Sequence, residues 1–164
     1  MSVLAGLELP TIKPARDEPW LADLLEQIWE RHFADTPRVN RVRVSFGGAW
    51  KSRLGLITMS EDQQTSYIQV NALLSHLQIP EYVTFITIAH EMVHYAHGFG
   101  SPLPRRYKHP HRGGIVKREL TRRGIVREYN LYDEWVYDHW YDFHARWAVT
   151  LNLTASDDSG GSAK

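Results

Sequence analysis

The chain has 164 residues, a formal net charge of zero, 43% hydrophobic and 23% charged residues, and no cysteine. That length suits one domain with a single core, and the lack of cysteine excludes disulfides, a thiolate zinc ribbon and a cysteine nucleophile together. No apolar run approaches the ~20 residues needed to cross a bilayer, and MSVLAGLELPTIKPARDEPW lacks the basic start and long apolar stretch of a secretory signal, so the expectation is a monomer in the reducing cytoplasm.

Residues 1–16 carry two prolines and no period, and are expected to be a flexible lead-in. Asp17 is placed to cap a helix whose first turn holds Glu18 and Pro19. Trp20, Leu21, Leu24, Leu25, Ile28, Trp29 and Phe33 then form one apolar stripe that ends before Pro37. The period changes to two at Val42, Val44 and Phe46, which alternate with Arg41, Arg43 and Ser45 as in a half-buried strand. Gly47-Gly48 reads as a turn, and AWKSRLGLIT as a second strand paired with the first. SYIQVNA gives a third strand with Ile68, Val70 and Ala72 on one face, and LLSHLQ a short helix stopped by Pro80.

From Glu81 to about His97 the run EYVTFITIAHEMVHYAH has no breaker, and Gly98 and Gly100 end it. SPLPRRYKHPH follows as a loop, then a basic helix from near Gly113 to Gly124. LYDEWVYDHWYDFHARWAV reads as a long aromatic-rich helix. The expected domain spans 17–151, and 152–164 is a polar tail expected to be disordered. Helix, three short strands and then helices define an α+β domain, with a small antiparallel or mixed sheet packed on the first helix and on the helix over 81–97.

That apolar helix holds His90-Glu91-Met92-Val93-His94. Residues i and i+4 share one side of a helix, so His90 and His94 can present ring nitrogens to one Zn2+. Glu91 is about 100° round the helix, placed to take a proton from a water on the metal as it attacks a carbonyl. The alternative is a helix with a few satisfied polar residues, yet two imidazoles and a carboxylate without partners are costly to bury in so apolar a run. A catalytic zinc needs a third protein ligand. His97 shares the helix but points partly away, His109 and His111 lie beyond the loop, and Glu119 or Glu128 would make a different class of zinc hydrolase. Tyr95 and Tyr107 are near enough in sequence to polarise a substrate carbonyl.

Three stretches carry a likeness to a known family: WKSRLGLIT, IQVNALL and ITIAHEMVHYAHG, continued weakly through PHRGGIVKREL. In them the chain resembles the SprT-like metalloprotease domain of the Spartan proteases over roughly residues 20–125. The resemblance implies a zincin-like fold, a Zn2+ cofactor, Glu91 as general base and His90, His94 and His111 as ligands. His111 takes the third place because Ile115 then falls on the family's anchor position; His109, the alternative, would put Gly113 there. Arg112 stands where the family has a glycine, and the family's cysteine ribbon is missing, with the last aromatic helix a candidate cover in its place.

The family implies a protein or peptide substrate, in several members one trapped on DNA. From Arg105 to Arg127 the chain holds nine basic residues and one acid, Glu119. Arg105, Arg106, Lys108, Arg112, Lys117, Arg118, Arg122 and Arg123 are therefore candidates for sequence-independent phosphate contacts. The other readings are a solvated helix face, a zinc peptidase without a DNA role, and a non-catalytic metal-binding or nucleic-acid-binding module.

Overall fold

Residues 16–149 are described by a computed structural model; the expected lead-in, all but its last residue, and the polar tail lie outside them. Helix α1 (Glu18–His32) starts at Asp17, whose carboxylate accepts the Trp20 N–H at 2.9 Å and so satisfies an otherwise orphaned donor. Its stripe buries Leu21, Leu25, Ile28 and Trp29 and continues into Phe33.

Strands β1 (Arg41–Phe46), β2 (Gly55–Met59) and β3 (Thr65–Val70) form one mixed sheet in the order β1-β3-β2. β1 runs parallel to β3 with Arg41 opposite Thr65, and β2 runs antiparallel to it with Gly55 opposite Val70. The second strand thus pairs with the third, not with the first as its sequence suggested. Gly47-Gly48 does not close a hairpin. Gly47 donates to the Val70 carbonyl and Gly48 accepts from the Ala72 N–H, so the chain is carried past the end of β3. Asn71, wholly buried, then captures the Trp50 and Arg53 carbonyls at 2.7 and 2.8 Å, and the chain re-enters on the far side of β3. The hairpin lies instead between β2 and β3, around Gln63 at φ 62°.

Ile68 and Val70 face the core while Tyr67 on the other face is exposed, as in a sheet with one wet side. A 3-10 turn (Ala72–Ser75) leads to α2 (Glu81–Ala96), which is buried along most of its length and packs on β2 and β3. α2 ends where Gly98, at φ 82°, lets Phe99 N–H reach the His94 carbonyl and Gly98 N–H the Tyr95 carbonyl, the double bond of a Schellman motif. A side chain at 98 would meet Pro104 backbone at 2.5 Å.

After the loop and a 3-10 turn (Arg112–Gly114) comes α3 (Ile115–Arg122), then α4 (Val126–Trp135), a π-helical turn (Val136–Trp140) and α5 (Tyr141–Trp147). The expected long aromatic helix is therefore one rod interrupted by a π turn, whose extra residue re-phases the side chains that follow. Trp140 becomes buried and donates to the Lys51 carbonyl at 2.7 Å, and the His144 ring meets the Ala49 carbonyl at 2.8 Å. Trp147 and Phe143 pack against His76. Among the described residues no helix is long and apolar enough to cross a membrane.

Candidate metal centre

α2 presents His90 and His94 one turn apart, and the segment that opens the 3-10 turn before α3 returns His111 to them. Their Nε2 atoms form a triangle of 3.0 Å (His90–His94), 2.9 Å (His94–His111) and 3.4 Å (His90–His111). A neutral imidazole has one N–H and one lone pair, so three Nε2 atoms pointed at one centre cannot all satisfy one another. Donors at 2.0–2.1 Å from a tetrahedral divalent ion stand about 3.3 Å apart, close to the observed triangle. The three histidines therefore lie close enough to hold one metal ion.

The turn that places His111 uses Gly113 and Gly114, both at φ 69°, so left-handed backbone comes two and three residues after this histidine and Arg112 is tolerated directly after it. Ile115 behind it is buried. His109 is exposed and falls outside the convergent group. His97 is buried on the other side of α2 with its Nε2 3.9 Å from Glu119. Glu119 is bound by Arg122 and Arg123, so it is no ligand here; Tyr95, too, turns into the core and donates to Asn40 at 2.7 Å. Tyr107 packs on His97.

Burial sets the electrostatics. It lowers the His90 pKa to about 4 and, with the neighbouring imidazoles adding, that of His94 to about 3, which keeps both rings neutral and able to donate lone pairs. The buried His94 Nδ1 has no hydrogen-bond partner among the described residues; the ring is held by packing, Phe99 lying edge-on at 6.3 Å. Burial also raises the Glu91 carboxyl to about 8, with Arg53 pulling the other way.

His90, Glu91, His94 and His111 share a cleft of about 570 Å³ walled by Arg53 to Thr58, Thr87, Phe99, Gly100, Pro110 and Tyr132. Most of this wall was not singled out from sequence, Gly55, Tyr132 and Arg53 among it. Gly55 is needed for contact, since a Cβ there would stand 2.6 Å from Thr87 Cγ2 and 3.3 Å from Glu91 Oε1. Tyr132, within reach of Thr87 and Glu91, keeps its phenolic proton because burial raises its pKa. Arg53 is two residues before Gly55 in the basic stretch, the only hint of it in the sequence.

The basic segment divides. Arg105, Arg106, Lys108, Arg112, Lys117 and Arg118 are exposed, Arg105 over the Phe99 ring and Lys117 over that of Tyr129. Arg122 pairs with Glu119 and Asp35. Arg123, its side chain only 5% exposed, binds Asp35, Glu119 and the His32 carbonyl; it is a structural cation and drops out of any phosphate-binding surface. No family model, curated protein or solved structure matches the chain, so the likeness to the SprT-like domain stands on the motif residues alone.

Proposed function

We propose that the protein is a metal-dependent hydrolase of amide bonds. More narrowly, we read it as a zinc endopeptidase of the SprT-like kind with a zincin-like fold. The observation that supports this most is the convergence of three Nε2 atoms beside a buried carboxylate in one open cleft. An all-imidazole donor set suits zinc, which when bound lowers the pKa of water to near 7. Glu91 follows His90 on the same helix and is the one carboxylate lining the cleft among the described residues. It accepts the proton of the attacking water and returns it to the leaving amine. Tyr132, protonated at all working pH values, offers a hydrogen bond to the substrate carbonyl.

Casein or histone hydrolysis abolished by a chelator and restored by zinc tests this reading; a purified protein that takes up no transition ion overturns it. His111→Ala should lose the metal while His109→Ala keeps it, measured by elemental analysis. An association with DNA is favoured by one further feature: six exposed cations, Arg105, Arg106, Lys108, Arg112, Lys117 and Arg118, surround the segment that carries His111. Single-stranded DNA should stimulate hydrolysis at low salt and lose that effect as salt rises; hydrolysis indifferent to DNA removes this part.

A further inference from the structure

The cleft wall opposite α2 carries a cation that the chemistry above does not use. Arg53 is exposed, lines the cleft, and forms no ion pair among the described residues, whereas Arg38, Arg122 and Arg123 are each matched to an acid. Its position is built. Asn71 grips the Trp50 and Arg53 carbonyls from behind the sheet, and its N–H holds the Leu54 carbonyl at 2.7 Å. From the other side Trp140 and His144 hold the Lys51 and Ala49 carbonyls. A loop held by its carbonyls at five points, 49, 50, 51, 53 and 54, keeps the Arg53 backbone beside the cleft.

Apart from Arg53, Glu91 and the three histidines, the lining side chains are uncharged, several of them apolar. A peptide in this cleft therefore meets an unneutralised fork of N–H donors suited to a carboxylate. We infer that Arg53 is a specificity residue that selects an acidic side chain on the substrate peptide beside the bond to be cut, and disfavours a basic one. This rests on the reading of the cleft as a peptidase site and names its substrate class.

A mixed peptide library, with cleavage sites read by mass spectrometry, tests it. The zinc-loaded wild type should enrich Asp and Glu next to the cut by about three- to tenfold over Gln, the size of a partly exposed charged pair, and Arg53→Glu should turn that preference toward Lys and Arg. Identical profiles in the two proteins overturn the inference. A second arm needs no turnover. Zinc-loaded Glu91→Gln should bind a fluorescent Glu-containing peptide three- to tenfold tighter than its Gln counterpart, and Arg53→Gln added to it should erase the difference. If nothing is cleaved, the peptidase reading fails while this arm still decides Arg53: equal affinities with Arg53 present overturn its role. Arg53→Gln that weakens single-stranded DNA binding while leaving acidic-peptide affinity unchanged would assign Arg53 to phosphate and overturn it as well.

Discussion

Replacing Glu91 by Gln keeps the side-chain shape and removes only the ionisable proton, and the structure sets how stability should respond. Burial moves this carboxyl from 4.5 to about 8. The folded-state pKa is raised, so the unfolded chain ionises first, and stability is lost as pH climbs from about 4.5 to about 8. One unit corresponds to about 1.36 kcal/mol, so the loss reaches about 3 kcal/mol at pH 7 and about 5 kcal/mol above pH 8. Gln bears none of it. In chelator, Glu91→Gln should melt higher than wild type by roughly 6–12 °C at pH 7, at about 2–4 °C per kcal/mol, with a larger gap at pH 9 and none near pH 4.5. Excess zinc should narrow the gap, because a cation beside the carboxylate favours its charged form, while hydrolysis disappears and bound metal stays. Differential scanning fluorimetry at the three pH values reads this directly. A melting difference that does not grow with pH, or a variant that melts lower at pH 9, would refute burial of an ionisable Glu91.

Other substitutions probe the surroundings. Gly55→Ala places a methyl 2.6 Å from Thr87 Cγ2, and should lower stability by about 1–3 kcal/mol and reduce kcat through Glu91; an unchanged melting temperature would show slack between β2 and α2. Tyr132→Phe should lower kcat about 10²-fold with metal content unchanged, and equal kcat would reduce the phenol to packing. Arg123→Ala leaves Glu119 with Arg122 alone and frees the His32 carbonyl, and should cost about 1–3 kcal/mol without loss of metal, checked by urea unfolding and elemental analysis.

The local rules read well where a signal lies in adjacent residues. The Asp17 cap, the α1 stripe, the unbroken run over α2 and the alternation in β1 and β3 are all consequences of neighbouring side chains. Strand order was not legible, because it depends on Asn71 seizing carbonyls 18 and 21 positions earlier. The role of Arg123 was hidden for the same reason: its partner Asp35 is 88 positions away, and in the sequence it looks like one more charge in a basic block. His111 could be chosen over His109 only through the resemblance, with Ile115 and not Gly113 filling the buried position; spacing alone leaves both open. The π turn follows from no local pattern, yet it decides which aromatic residues of the last rod reach the loop over 49–54.

Two of the three imidazoles that converge belong to one helix and the third arrives 17 positions after His94. An ion shared among them ties the chain into a ring, so coordination also acts as a reversible staple. Because the unfolded chain releases the ion, the staple stabilises by mass action, about 2.7 kcal/mol at a hundredfold excess of free ion over its dissociation constant. Stripping the ion frees the stretch from Gly98 to Pro110 first, and limited digestion by a probe protease should nick there long before the sheet gives way.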